Sequence, residues 1–248
     1  MRKTLENQHF VAHIDILGMS ALVGKDPKLA WQLLSSLVKA RKTAHGIKRT
    51  LKTTAELIEP YEQIRAVTFS DTIVLFTHGE EAKDLMALIM MSTDFLSFAL
   101  NLCVPIRIGI SVGTFFFDLD ESMYAGPALI EAYHLGEKSQ WIGITTSEEV
   151  YRRSIDAQLS SGGSDGVICA KIPHYEGLKD GYAVNWPISL RTSINAPLHV
   201  TAEKIYEGFE QYFGDWASLL PDAQLKYENT ADFMNNSRKE PTAHKKTT

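Results

Sequence analysis

The chain has 248 residues and a mass of 27.7 kDa, which is the size of one or two domains. Hydrophobic residues make up 44% and charged residues 22%, an ordinary globular composition that excludes a fibrous or wholly disordered protein. The net charge of -5 argues against a nucleic-acid partner, since such partners attract a cationic surface. Two cysteines, Cys103 and Cys169, are too few for a disulfide scaffold or a multi-cysteine zinc site.

The N-terminus and the longest apolar stretch bear on cellular location. Residues 1–8 carry charges with no apolar core behind them, unlike a signal peptide. The apolar stretch at 85–104 is interrupted by Ser92, Thr93, Asp94, Ser97 and Asn101. This pattern predicts a buried helix rather than a membrane span. We therefore expect a cytoplasmic protein without direct membrane insertion.

The first half of the chain alternates β-rich and helical patterns. The predicted elements are a strand at 10–17, a helix at 30–40 that extends to about 51, a hairpin at 64–69 and 72–76, and a helix at 81–101. Gly18 ends the first strand, and Ser20 is a candidate cap for the next element. Pro105 is expected to stop the long helix.

The second half begins with β-rich patterns and ends in helical ones. The predicted elements are a strand at 107–117, a turn at 118–122, helices at 126–138 and 147–151, strands at 142–146, 167–172 and 182–186, and helices at 201–213 and 216–234. Residues 187–197 resemble a linker, and the polar tail at 235–248 is expected to be disordered. This order predicts an antiparallel or mixed sheet with helices on one face.

Two carboxylates stand in apolar surroundings. Asp15 lies inside the first strand, and Asp71 lies at the joint of the hairpin. A lone buried carboxylate is costly unless it is paired or binds a cation. If the hairpin lies beside the first strand, the two would form an all-oxygen site suited to Mg²⁺ or Mn²⁺. The alternative for Asp71 is a purely structural role, in which its side chain bonds the backbone of the turn.

The segment after Asp15 is a candidate phosphate loop. It consists of Leu17, Gly18, Met19 and Ser20. A strand, a glycine turn and a helix N-terminus together present backbone N–H groups to an anion. A plain strand-to-helix connection is the alternative, because one glycine is not specific.

Four stretches, taken in order, resemble class III nucleotidyl cyclases. Residues 10–20, Phe-Val-Ala-His-Ile-Asp-Ile-Leu-Gly-Met-Ser, resemble the first metal motif of that family, and 67–76 resemble its second, a hairpin with Gly-Asp at the turn. Residues 107–113, Arg-Ile-Gly-Ile-Ser-Val-Gly, resemble a further strand of the family, and 124–132 resemble its catalytic helix. The resemblance implies an α+β, ferredoxin-like catalytic domain over residues 1–186, followed by a linker and C-terminal helices at 187–234.

The resemblance also implies roles for particular residues. Asp15 and Asp71 would be catalytic and, with the backbone of Ile16, would bind two Mg²⁺ or Mn²⁺ ions. Residues 17–20 would bind phosphates. The family builds each active site between two subunits, so a homodimer with shared sites is implied.

The chain departs from the family at the base-reading and catalytic positions. The residues that read adenine would fall at Val67 and about Met123, and the catalytic Asn and Arg would fall at Ile130 and His134. None of the four can play the usual part. The metal-binding half of the pattern is thus retained, while the purine-reading half and the usual catalytic helix are not.

Two further stretches are similar to the bacterial pyrimidine cyclases of Pycsar antiphage systems, namely residues 126–135 and 177–186. This similarity implies conversion of UTP to cyclic UMP, a second messenger read by a separate cyclic-nucleotide-binding effector. The alternatives are a cytidylate cyclase and an inactive nucleotide-binding module. Candidates for reading the base are Tyr61, Arg65 and Arg107.

Overall fold

The computed structural model describes residues 8–47, 49–50, 57–58, 60–159, 166–188 and 199–237. The strands are β1 (Gln8–Ile16), β2 (Arg49–Thr50), β3 (Leu57–Ile58), β4 (Ile64–Phe69), β5 (Thr72–Thr77), β6 (Ile106–Thr114), β7 (Phe116–Asp118), β8 (Met123–Ala125), β9 (Ile144–Thr146), β10 (Val167–His174) and β11 (Gly177–Val184). The α-helices are α1 (Met19–Lys25), α2 (Pro27–His45), α3 (Pro60–Gln63), α4 (Ala82–Asn101), α5 (Pro127–Lys138), α6 (Glu148–Asp156), α7 (Ala202–Tyr206), α8 (Glu210–Phe213) and α9 (Pro221–Asn236).

Seven strands form one mixed sheet in the order β10-β11-β9-β6-β1-β5-β4. β6 and β9 run parallel, and the other neighbouring strands of this sheet are antiparallel. β1 lies between β6 and β5, with the β4–β5 hairpin at one side. The mixed sheet and the hairpin were both predicted from the sequence, and both are confirmed.

One face of the sheet forms the main hydrophobic core. Successive side chains of a strand point to opposite faces, and in β1 the side chains of Phe10, Ile14 and Ile16 lie in this core with residues of α2 and α4. By length and composition alone α4 could cross a membrane, but 67% of its apolar stretch is buried inside the protein. The prediction of a buried core helix is confirmed.

The other face of the sheet is covered by α5. Here Val11 of β1 packs with Ala128 and Ala132 of α5 in a second cluster. The sequence had predicted helices on one face only, and this prediction is wrong. Small residues explain the difference: Gly109 of β6 and the alanines of α5 have no bulk to hold the helix away from the strand.

Several element boundaries differ from the predicted ones. α2 begins after Asp26, whose Oδ1 accepts from the backbone N–H groups of Lys28 and Leu29 at 3.1 and 3.0 Å, and the helix ends at His45 instead of extending to about 51. Ser20 lies inside α1 rather than capping it.

The last predicted elements also differ from those observed. β11 begins at Gly177, five residues earlier than predicted, because it forms a hairpin with β10. The predicted helix at 201–213 is divided into α7, a 3₁₀ turn and α8. The predicted loop at 160–166, the linker at 187–197 and the tail at 235–248 lie wholly or mostly outside the described residues.

The C-terminal helix α9 packs onto the segment that comes after α5. The ring of Phe233 lies 4.5 Å from that of Trp141, centroid to centroid. The Thr230 hydroxyl accepts from the backbone N–H of Ile142 at 2.9 Å, and the side-chain amide of Asn229 donates to the Gln140 carbonyl at 2.8 Å. These contacts fix α9 at the end of the sheet where β1 ends and β6 begins.

The close approach of α5 to β6 leads to a prediction about how a substitution of Gly109 affects stability. A Cβ at this position would collide with the Ala132 carbonyl oxygen and lie 2.6 Å from the Gly136 nitrogen. Gly109→Ala should therefore lower the free energy of unfolding by about 3 kcal/mol or more, measured by urea denaturation. Gly24→Ala is the matched control, because a Cβ there meets nothing within 4 Å. A Gly109→Ala protein as stable as this control would contradict the proposed tight contact.

Candidate active site

The strand register collects polar side chains at one end of the face that α5 covers. Asp15 of β1 is paired with Arg107 of β6 on one side and with Thr72 of β5 on the other. His13 lies two residues earlier on the same face of β1. This cross-strand row is the chemically richest part of the face, and it lies directly before the predicted phosphate loop.

Asp15 and Arg107 form a partly buried ion pair. The Arg107 Nε and Nη2 atoms lie 3.1 and 3.0 Å from the same Asp15 oxygen, Oδ2, and Nη1 donates to the Glu137 carbonyl of α5 at 2.8 Å. The Asp15 and Arg107 side chains are only 25% and 15% exposed. Burial raises the pKa of Asp15 even though Arg107 acts to lower it. The neighbouring groups, Arg107 included, therefore do not fully compensate the ionised Asp15 carboxylate for its burial.

Asp71 lies in the two-residue connection between β4 and β5, after Ser70, which has a φ of 52°. It directly precedes Thr72, the residue opposite Asp15. The negative charge of Asp71 is among the causes that raise the pKa of Asp15, so the two carboxylates repel each other. The position of Asp71 in a turn is consistent with a purely structural Asp. Its nearness to Asp15 is consistent with a carboxylate that helps to bind a cation.

The carboxylate oxygens of Asp15 and Asp71 fit a hard divalent cation whose other coordination positions are filled by water or by the phosphates of a ligand. Mg²⁺ is commonly held by one or two carboxylates, with water and substrate phosphates completing the shell, and Asp15 and Asp71 supply that number. Within the described ranges, no group of three or more His, Cys, Asp or Glu side chains is placed to hold a metal. The backbone N–H of Ile16 donates to the Asp15 carboxylate, which helps to orient it.

In the predicted phosphate loop, the backbone N–H of one residue already donates a hydrogen bond within the protein. The N–H of Leu17 donates to the Pro105 carbonyl at 2.9 Å. Gly18 has a φ of 78° and precedes the first turn of α1, where Met19 is buried and Ser20 is exposed. The ring of Phe213 lies against Gly18, 3.2 Å from the place of an added Cβ. Gly18, Met19 and Ser20 thus remain the candidates in this loop.

A groove of about 530 Å³ opens beside the ion pair, between α5 and the β4–β5 hairpin. It is lined by His13, Val67, Phe69, Thr72, Val74, Tyr124, Leu129, Ile130, Tyr133 and His134. Neither Arg65 nor Arg107 lines it: Arg65 lies farther along β4, opposite Phe76, and Arg107 points to Asp15. The side chain of Tyr61 lies outside the described part of the chain.

Among the polar residues of this groove, His13 and Tyr133 were not identified as candidates from the sequence. Burial, followed by the charge of Arg107, lowers the pKa of His13 to about 4, so its imidazole is neutral at pH 7. Tyr133 packs edge-on against His13, with ring centroids 5.2 Å apart. Its hydroxyl is hydrogen-bonded to the Glu137 carboxylate, which raises the pKa of Tyr133 and lowers that of Glu137. The alternation of β1 could have placed His13 on the Asp15 face; nothing local indicated Tyr133.

A second groove, of about 760 Å³, runs along the other side of α5. Its lining includes Glu131, His134, Lys138 and His174. Burial raises the pKa of Glu131, and burial with the neighbouring charge of Lys138 lowers the pKa of His174. Ile130, which stands at the position of the family's catalytic Asn, is 58% exposed between the two grooves.

Comparison with known proteins shows the fold. No protein-family model matches the chain, and no curated protein does. The catalytic core of a rhodopsin-guanylyl cyclase with converted specificity, in complex with ATPαS, is 12% identical, with a TM-score of 0.50 over 72% of this chain and 95% of that one. A monomeric guanylyl cyclase domain from the aquatic fungus Blastocladiella emersonii is 12% identical, with a TM-score of 0.52 over the same shares.

The chain therefore has the fold of a nucleotidyl cyclase catalytic domain, with additional helices at its C-terminal end. This confirms the fold that the sequence resemblance implied. At 12% identity the likeness extends to the fold, and the activity must be argued from the residues of the site.

The buried, neutral imidazole of His13 leads to a prediction about how the stability of the protein depends on pH. Its folded pKa lies near 4, below the usual value of 6.5, so the unfolded chain binds more protons and stability is lost as the pH falls from about 6.5 to 4. We expect His13→Gln to remove on the order of 2–3 kcal/mol of this loss, measured by urea denaturation at several pH values. Parallel stability profiles for the two proteins would contradict the neutral, buried state of His13.

Proposed function

We propose that the chain is a nucleotidyl cyclase that converts UTP to 3′,5′-cyclic UMP and pyrophosphate. The observation that supports this most directly is the nearness of the two carboxylates Asp15 and Asp71 at one end of the sheet, where the charge of Asp71 acts on Asp15, beside a groove. The fold is that of cyclase domains, and the sequence resemblance assigns the metal-ligand role to these two carboxylates. The Arg107 guanidinium offsets part of the charge of Asp15, and a metal cation would also offset the repulsion between the two carboxylates.

The reaction forms a bond between the ribose 3′-oxygen and the α-phosphorus and breaks the bond from that phosphorus to pyrophosphate. The hydroxyl proton is released to solvent. When bound to Asp15 and Asp71, two Mg²⁺ or Mn²⁺ ions would neutralise phosphate charge and favour loss of the hydroxyl proton. The N–H groups at Gly18, Met19 and Ser20 would hold phosphate oxygens. The chain's own task is mainly to position the hydroxyl and the triphosphate.

A pyrimidine is the base that we propose for the groove beside His13. Its walls are largely apolar, with Val67 in the place of the base-reading lysine of adenylate cyclases. The neutral imidazole of His13 and the hydroxyls of Thr72 and Tyr124 can donate and accept hydrogen bonds. Uracil offers two carbonyl acceptors and one N–H donor to such groups. Arg65 and Arg107 remain candidates only if the base lies outside this groove, and Tyr61 stays a candidate from the sequence.

We further propose a homodimer with shared active sites in the cytoplasm, whose product is read by a separate effector in antiphage defence. The assembly is supported by apolar side chains exposed along the first groove: Phe69 is 80% exposed and Ile130 58%. Burial of such side chains against a second copy would stabilise a dimer. The defence role rests on the sequence similarity alone.

A nucleotide-binding module without turnover is the second candidate. It is favoured by one observation: the α5 positions that usually carry the catalytic Asn and Arg hold Ile130 and His134. His134 lies 3.5 Å from Glu137 on its own helix. Binding of a nucleoside triphosphate without product formation is the result that distinguishes this candidate from the cyclase.

Substrate choice gives the direct test of the proposal. The purified protein is incubated separately with UTP, CTP, ATP and GTP in the presence of Mn²⁺, and products are identified by mass spectrometry. We expect cyclic UMP to form fastest, cyclic CMP second, and both purine products slowly, because unpaired polar groups strongly disfavour the wrong base. Efficient formation of cyclic AMP would overturn the pyrimidine specificity but not the cyclase activity.

The carboxylate pair gives a second test. Asp15→Asn and Asp71→Asn should each lower turnover at least about 100-fold, because each removes an anionic metal ligand. Since burial disfavours the ionised form of Asp15, Asp15→Asn should raise or leave unchanged the melting temperature of the metal-free protein at pH 7. Asp180→Asn is the control, since that carboxylate is 88% exposed in a surface ion pair with Lys171. Normal turnover by either site variant at saturating Mn²⁺ would exclude this metal site.

A further inference from the structure

Arg107 of β6 is held by three contacts at the proposed metal site. Its Nε and Nη2 atoms lie 3.1 and 3.0 Å from the Oδ2 atom of Asp15, the residue opposite it in β1. Its Nη1 atom donates to the Glu137 carbonyl at 2.8 Å. The guanidinium is planar, and its N–H groups point in fixed directions. With all three nitrogen atoms engaged, the orientation of the whole group is fixed.

These contacts also orient the Asp15 carboxylate. Both donors from Arg107 go to Oδ2, and neither goes to Oδ1. The backbone N–H of Ile16 donates to the same carboxylate. An ionised carboxylate has about four lone-pair positions on its two oxygens, so at least one position on Oδ1 is left for a cation. Arg107 thus binds one Asp15 oxygen and leaves the other for the proposed metal.

The third contact of Arg107 connects the carboxylate to α5. Glu137 lies in the last turn of this helix, where carbonyl groups have no partner within the helix and carry partial negative charge. Arg107 satisfies one of these carbonyls. The same helix lines the first groove, through residues such as Ile130 and Tyr133. A single side chain therefore joins the proposed metal ligand to the helix that lines the groove.

Charge and geometry predict opposite effects of Arg107 on a metal ion. As a cation, Arg107 repels a metal on the same carboxylate, so its removal would tighten metal binding. As a donor, it orients the carboxylate and acts against the burial that raises the pKa of Asp15, so its removal would weaken metal binding. The three-point contact favours geometry as the larger effect, because loss of such a partner typically lowers metal affinity about 10–100-fold.

We infer that Arg107 is a positioning residue of the proposed metal site, which holds the Asp15 carboxylate with Oδ1 toward the cation and ties that carboxylate to the end of α5. The inference rests on the proposed function, because the cation is the one proposed for Asp15 and Asp71. It gives Arg107 a task different from base reading, the role for which the sequence made it a candidate.

Two other roles for Arg107 would leave the metal affinity of the nucleotide-free protein unchanged. In a purely structural role, the guanidinium only joins β1, β6 and α5 and stabilises the fold. In a direct role, it leaves Asp15 when a nucleotide binds and contacts a phosphate. Lysine tests the geometry itself, because it retains the positive charge but has one nitrogen in place of three.

The experiment compares the wild-type protein with Arg107→Lys and Arg107→Met. Arg153→Lys is the matched control, because Arg153 is a second partly buried arginine, 24% exposed, with three hydrogen-bonded nitrogens. Its partners are Glu149, Glu80 and Gln8, none of which belongs to the proposed site. Binding of Mn²⁺ to the nucleotide-free protein is measured by electron paramagnetic resonance of the unbound ion. Binding of UTP with Mg²⁺ is measured by titration calorimetry, and melting temperatures are recorded in parallel.

We expect both Arg107 variants to bind Mn²⁺ about 10-fold more weakly, and the control to bind it as the wild-type protein does. Asp15→Asn should remove most of this binding, which would place the measured site at Asp15. Lower stability alone does not change the Mn²⁺ affinity of the folded protein, so the affinity reports the positioning role. If Arg107→Met does not fold, Arg107→Lys alone decides.

Three results would overturn the inference and leave the cyclase proposal standing. Unchanged Mn²⁺ affinity in Arg107→Lys would show that the positive charge is sufficient. Tighter Mn²⁺ binding by Arg107→Met would show that repulsion is the larger effect. Weaker UTP binding with unchanged Mn²⁺ affinity would indicate a phosphate contact instead. Absence of Mn²⁺ binding by the wild-type protein would overturn the proposed metal site and the inference together.

Discussion

The ion pair between Asp15 and Arg107 is the constraint around which the site is organised. It joins the central strand to its neighbour, and the third contact of Arg107, to the Glu137 carbonyl, extends the link to α5. A single guanidinium thus ties together the sheet, the helix over it and the carboxylate at the site. Burial still raises the pKa of Asp15 despite this partner. The fold therefore holds Asp15 in a place where one cation is present and further positive charge would be stabilising.

Local patterns were sufficient to predict the elements that carry the site. The apolar run that ends at Gly18, the two-residue joint at Asp71 and the helical period after Gly126 are signals contained in short windows, and β1, the β4–β5 hairpin and α5 all formed. The contact of Asp15 with Arg107 joins residues 92 apart and depends on strand register. Register is a property of the whole sheet, so no short window could predict it. The placement of α5 on the second face and the groove beside His13 depend on the same tertiary information.

In the proposed cyclase, a metal-binding half that resembles the family pattern is combined with an altered helix. Asp15 lies on β1, Asp71 lies in the turn between β4 and β5, and the candidate phosphate loop directly follows β1. The differences are concentrated on α5 and in the groove below it, where Val67 and Ile130 replace polar residues. Under the proposed function, the phosphate chemistry and the base recognition would be carried by different elements. A change of base can then occur without disturbing the carboxylates.

The contact of Gly109 with α5 has a consequence for protein engineering. The backbone of α5 lies directly against this glycine, so the strand surface beneath the helix cannot accept a larger residue. Few substitutions at that surface would therefore be tolerated. The walls of the first groove are different: Phe69 and Ile130 are exposed, so exchanging them would alter the surface proposed for the dimer but not the core of one chain. A library aimed at new ligands of this groove should therefore diversify its walls and keep Gly109 and the strand surface beneath α5 constant.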